Sequence, residues 1–195
     1  MNFCNIDIET TSLKSDRGYM LGCAFKPLGK APYWIGLDDH LLYSGPIQPD
    51  DVERIDRYLA LRVREEMEKY DGWITWNGIM FDVPFIDDRC LLSGRKGEDR
   101  DPHEKRWHID VMYYTRQGKS CMTSSRLKWV EDVLGVKYRK TDLEFSKWKK
   151  AGQEMALGKP GVNYSYIKKH GVRDVRVLEE VYELLKNRVQ QIAKR

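Results

Sequence analysis

An α/β fold, with a central mixed five-stranded sheet flanked by helices, is what this sequence predicts, and three observations predict it. Three strand-type runs come first, separated only by turn signals. Helix-type and strand-type runs then alternate, and the chain closes on helices. A meander makes antiparallel neighbours, whereas a strand–helix–strand order returns the chain parallel, so the sheet is mixed. The 195 residues suffice to enclose one core, and residues 1–195 are read as a single domain.

Residues 2–8 form the first predicted strand, because Phe3, Cys4, Ile6 and Ile8 dominate and a Thr-Thr-Ser turn signal follows. Gly18 to Phe25 and Tyr33 to Leu37 are the next two, divided by Pro27, Gly29 and Pro32. After Pro49-Asp50-Asp51, the residues Val52, Ile55, Leu59, Val63 and Met67 recur at helical spacing, which predicts an amphipathic helix reaching Tyr70. Gly72 to Trp76 reads as a strand, and Val83 to Ser93 as a helix entered through Asn77-Gly78. Arg95 to Arg106 mixes charges with Gly97 and Pro102 and has little to bury, which predicts a mobile loop. Trp107 to Val111 supplies a fifth strand; helices are expected near Ser124–Leu134, at Leu143–Lys149 and from Tyr164 onward, with no internal repeat.

With 41% hydrophobic and 33% charged residues, the composition is that of a soluble protein rather than a disordered or membrane chain. No run of some 18 apolar residues exists, and the N-terminus lacks a basic start followed by an apolar stretch. Cys4, Cys23, Cys90 and Cys121 are scattered without a CxxC pair, so free thiols in a reducing, cytoplasmic compartment are expected. A zinc set of Cys90, His103, His108 and Cys121 lacks a close Cys pair to anchor it. The net charge of +4 permits a polyanionic partner without requiring one.

Three acidic segments carry chemistry. Asp7 and Glu9 lie two apart on the first strand, so both carboxylates face one side and repel unless a cation sits between them. Hard divalent ions such as Mg²⁺ or Mn²⁺ resolve that repulsion; a solvent-facing acid beside a turn-capping acid is the plainer alternative. In the segment from Trp76 to Ile86 a strand gives way to a turn and Asp82 stands at a helix start, either as a ligand or as a helix N-cap. In that segment Asn77 offers an amide and Phe81 a stacking face to a nucleotide, or both serve local packing. His170 and Asp174 are one helical turn apart and point the same way, as a base beside an acid or as a surface ion pair. Lys168, Lys169 and Arg173, with Lys147, Lys149 and Lys150, hold phosphates or are solvated faces.

In this order the segments resemble the Exo I, Exo II and Exo III motifs of the DEDD exonuclease superfamily, over nearly the whole chain. Asp7-Ile-Glu9-Thr-Thr11 is similar to the first, and Asn77-Gly-x-x-Phe81-Asp82 with Pro84-Phe85-Ile86 to the second. Trp107-His-Ile-Asp110 and Ser125-Arg-Leu-Lys128 are softer echoes. The third motif departs: His170 stands four before Asp174, the tyrosine branch's position with the histidine branch's residue. The nearest types are that tyrosine branch and the proofreading domains of family B polymerases.

The resemblance implies an RNase H-like fold, with Asp7, Glu9, Asp82 and Asp174 as ligands of two divalent cations, Mg²⁺ or Mn²⁺. His170 is then the expected base, and Tyr166, one turn earlier on the same face, the second candidate. Thr11, Leu13, Asn77, Phe81 and Tyr166 are the expected nucleotide contacts. The implied activity is two-metal 3′-to-5′ hydrolysis of single-stranded nucleic acid, DNA favoured over RNA, releasing 5′-mononucleotides. A non-catalytic nucleic-acid-binding module and an RNase H-like endonuclease are the alternatives. A replication or repair partner fits the activity, but the sequence names none.

Overall fold

The computed structural model describes residues 1–39, 55–92, 106–115, 123–141 and 144–187. Its sheet has five strands: β1 (Phe3–Thr10), β2 (Met20–Pro27), β3 (Tyr33–Gly36), β4 (Gly72–Thr75) and β5 (Trp107–Asp110), in the order β3-β2-β1-β4-β5. The meander pairs antiparallel, with Asp7 opposite Ala24 and Cys23 opposite Ile35. The later strands pair parallel, with Cys4 beside Trp73 and Ile74 beside Ile109. The sheet is therefore mixed, and β1 is its centre.

The helices that lie wholly within the described residues are α1 (Arg57–Met67), α2 (Asp82–Leu92), α3 (Val111–Thr115), α4 (Leu127–Leu134), α5 (Phe145–Ala156) and α6 (Val162–Leu185). At 1.5 Å rise per residue, the 24 residues of α6 span about 36 Å. That length carries it across β1, β2, β3 and β4. Its Ile167 and Val175 join Ile6, Phe25, Leu59, Val63 and Trp73 in the larger buried cluster. Its Val177, Leu178 and Val181 join Ile74, Ile109, Leu127 and Val130 in a second one. Every residue of β2 is buried, because β1 and β3 flank it and helices cover it; the Lys26 ammonium survives there by pairing with Glu179 at 2.6 Å.

Several boundaries differ from the sequence reading for physical reasons. β1 runs on to Thr10, with a register shift between Glu9 and Thr10, so Glu9 belongs to the sheet rather than to the turn. α5 continues past Lys149 to Ala156 because Ala151, Gly152 and Met155 pack inward. The short α3 directly follows β5, where Asp110 Oδ1 accepts the Met112 amide at 3.1 Å. Nearly all of the predicted loop Arg95–Arg106 lies outside the described residues, as do residues 52–54 of the predicted first helix. Among the described residues no helix is long and apolar enough to cross a membrane.

Candidate active site

Four carboxylates and one imidazole gather where β1, α2 and α6 meet. Asp7 and Glu9 project from the same side of β1, Asp7 half-buried and Glu9 buried. Asp82 is the first residue of α2 and is also buried; its Oδ1 accepts the Ile8 backbone N–H at 3.0 Å. That bond fixes the Asp82 carboxylate against the strand, between the two β1 acids in sequence. The tight turn before it depends on Asp110, whose carboxylate accepts the Asn77 amide at 2.9 Å and the Ile79 amide at 3.2 Å. Asn77 there adopts a left-handed φ of 70°, which asparagine tolerates better than most residues.

From α6, His170 and Asp174 point into the same space, both buried. His170 Nε2 lies 3.5 Å from Asp174 Oδ2 and 4.0 Å from Glu9 Oε1. Gly171 makes this approach possible. A Cβ there would stand 2.9 Å from the Trp34 ring and 3.3 Å from Glu9 Cγ. On the other side of the imidazole, Nδ1 is hydrogen-bonded to Thr141 Oγ1.

Burial and mutual repulsion govern the charges. Asp7 is held well above the usual carboxylate range by burial, then by Asp174, Glu9 and Asp82. Glu9 is raised by burial and by Asp174, against the hydrogen bond that Trp148 donates. Asp82 is pushed up to about 7 by burial, against the Ile8 hydrogen bond. His170 is lowered by burial, which outweighs the attraction of Asp174.

Two residues of this centre carried no signal in the sequence. Lys140 pairs with Asp174 from the segment between α4 and α5. Burial opposes its charge, but Asp174 and Asp7 outweigh burial and hold the ammonium above its ordinary range. Its backbone amide is tied to Glu131 of α4 at 2.9 Å. Trp148 of α5 donates its indole N–H to Glu9 Oε2 at 2.6 Å.

The expected nucleotide contacts divide. Tyr166 stacks on His170, with ring centroids 6.2 Å apart, and the Lys147 ammonium lies 3.8 Å over its face. Leu13 is exposed. Thr11 closes the β1–β2 hairpin, its Oγ1 accepting the Tyr19 amide at 3.1 Å. Phe81 packs against Phe85 at 5.7 Å and against the core. Of the basic residues, Lys168, its side chain partly exposed, pairs with Asp38 at 2.8 Å. Of the zinc set, Cys90 lies in the core and His108 bonds Thr75 Oγ1 at 2.8 Å, while His103 and Cys121 lie outside the described residues.

Among the described residues no group of three or more His, Cys, Asp or Glu side chains stands ready-made to hold a metal ion. The donor set nevertheless fits a hard divalent cation. Asp174 Oδ1 is buried with no hydrogen-bond partner, and its other oxygen pairs with the half-buried Lys140 ammonium. Asp7, Glu9 and Asp82 are close enough to Asp174 to raise one another's proton affinity, and each would offer only oxygen to an ion there.

This constellation on a mixed sheet defines a class: residues 4–186 match the RNase H superfamily model, and the chain belongs to that superfamily. RNase H-like nucleases generally use divalent metals. Among solved structures, the chain is similar to the family B DNA polymerase from the hyperthermophilic archaeon Pyrobaculum calidifontis, with TM-score 0.67 and 16% identity. The match covers 95% of this chain and 24% of the polymerase, so the chain spans about a quarter of that protein's length, and the likeness shows the fold. No curated protein matches.

Proposed function

We propose that this protein is a metal-dependent 3′-to-5′ exonuclease acting on single-stranded nucleic acid, DNA before RNA, and releasing 5′-mononucleotides. One observation carries the reading: carboxylates from β1, α2 and α6 share one buried space with an imidazole nitrogen at 3.5–4.0 Å from two of them. Membership of the superfamily supports nuclease activity in general. The 3′-to-5′ direction rests on the three motifs.

Asp7, Glu9, Asp82 and Asp174 would hold two divalent cations, Mg²⁺ or Mn²⁺. Bound there, the ions supply positive charge that offsets the charge growing on the scissile phosphate. His170 takes the proton of the attacking water at Nε2. Burial keeps that imidazole neutral and therefore able to accept. Thr141 serves this role when His170 donates its Nδ1–H to Oγ1, which leaves the Nε2 lone pair facing the acids. The acids beside Nε2 then stabilise the imidazolium. Tyr166, stacked on His170, is one candidate for contacting the terminal nucleotide, and Thr11, Leu13, Asn77 and Phe81 are the others.

The Lys140–Asp174 pair favours one rival, a binding module that uses its acids structurally. Linear single-stranded DNA and RNA with free or blocked 3′ ends, and a circular single strand, separate the readings in Mg²⁺ or Mn²⁺. Shortening only from free 3′ ends supports the exonuclease. Cleavage of the circle supports an endonuclease, and metal-independent binding without cleavage supports the module.

A further inference from the structure

We infer that Trp148 is a positioning residue of the catalytic centre, its indole N–H fixing Glu9 so that this acid offers a single oxygen, Oε1, to a cation. The inference rests on the metal-dependent reading above. Trp148 Nε1 and Glu9 Oε2 are 2.6 Å apart, and both side chains are buried. A carboxylate with one oxygen held by a buried N–H no longer rotates freely. Its remaining oxygen faces His170 Nε2 at 4.0 Å. The same indole stands edge-to-face on the His170 ring, with centroids 5.0 Å apart at 86°, so one side chain sets both an acid and the base.

The placement is built into the fold. Gly152, one turn beyond Trp148 on α5, lies against the end of β1. A Cβ at 152 would stand 2.7 Å from Thr11 Cγ2 and 2.9 Å from Tyr19 Oη. Tyr19 Oη also donates to the Gly152 carbonyl at 2.8 Å. Helix α5 is thereby fastened to the β1–β2 hairpin, and the face carrying Trp148 is delivered onto Glu9.

An outer residue that orients a metal ligand typically contributes 10- to 100-fold to metal affinity. One-oxygen ligation also suits a small octahedral ion such as Mn²⁺ over Ca²⁺, which accepts two oxygens from one carboxylate. The test is Mn²⁺ binding to the full chain without substrate, read by the paramagnetic resonance of free Mn²⁺, with Ca²⁺ competition. Trp148→Phe keeps an aromatic ring and loses the donor. The expected result is Mn²⁺ affinity about 10- to 100-fold weaker, with discrimination against Ca²⁺ reduced. Should Trp148→Phe fail to fold by circular dichroism, β-(3-benzothienyl)alanine at position 148 keeps the ring size and replaces N–H with sulfur; the same losses are expected. Unchanged Mn²⁺ affinity in a folded variant overturns this inference and leaves the nuclease reading standing. A wild-type protein that binds no Mn²⁺ overturns both.

Discussion

Without metal, the protein is expected to become more stable as the pH falls from 8 to 5, the reverse of ordinary acid denaturation. Asp82 sits at about 7 against an ordinary 3.8. Because its carboxyl binds a proton more readily in the folded chain, its stabilising contribution is complete below 3.8 and is lost as the pH rises through about 7. At about 1.4 kcal/mol per tenfold difference in proton binding, Asp82 alone contributes about 2–3 kcal/mol across that window. Asp7 and Glu9, also raised by burial, act in the same direction. His170 opposes them: its neutral folded form loses stability as the pH falls through 6.5. Three acids against one imidazole leave the sign acid-stabilising. For a chain of this size the Asp82 share amounts to about 5–10 °C in Tm. Differential scanning calorimetry in chelator, from pH 8 to 5, measures it. Asp82→Asn should flatten the rise, and saturating Mn²⁺ should remove it by holding the carboxylates ionised. A metal-free wild type that loses stability steadily over this window would refute the repulsive cluster.

Other perturbations test other parts of the account. His170→Ala should lower kcat by about 10²–10⁴ with Mn²⁺ binding largely retained, as single-turnover kinetics and metal titration would show. Lys140→Met removes the half-buried cation that faces buried Asp174 and should cost about 3–5 kcal/mol at most in chelator, less where the acids take up protons, with Mn²⁺ restoring most of the loss. Urea unfolding with and without Mn²⁺ reads both. Gly171→Ala places a methyl against Trp34 and Glu9. It should reduce turnover more than it reduces Tm, because α6 must shift the base and Asp174 together.

The parts of the site that follow a period were legible in the sequence. Asp7 and Glu9 share a face because a strand alternates, and His170 and Asp174 share one because they are a helical turn apart. Asp82 was marked by the strand–turn–helix order around Asn77-Gly78, though its role is not that of an N-cap: its carboxylate reaches across to Ile8. Lys140 and Trp148 follow no such period. They reach the site only through tertiary contacts, Lys140 by the tie of its amide to Glu131 and Trp148 by the close packing at Gly152. The same limit explains the short reading of α5, whose continuation past Lys149 depends on Gly152 packing against Thr11. For β1, local turn propensity after Ile8 lost to pairing with β2, which extends the strand through Glu9.

The most direct test of the central claim follows the first products from 3′-end-labelled single-stranded DNA in Mn²⁺, comparing wild type with Asp174→Asn. This change keeps the side-chain shape and removes the charge. Labelled 5′-mononucleotide is expected from the earliest time point with wild type, and essentially none with a folded Asp174→Asn variant. Labelled oligonucleotides as first products, or equal release by the variant, would contradict that claim.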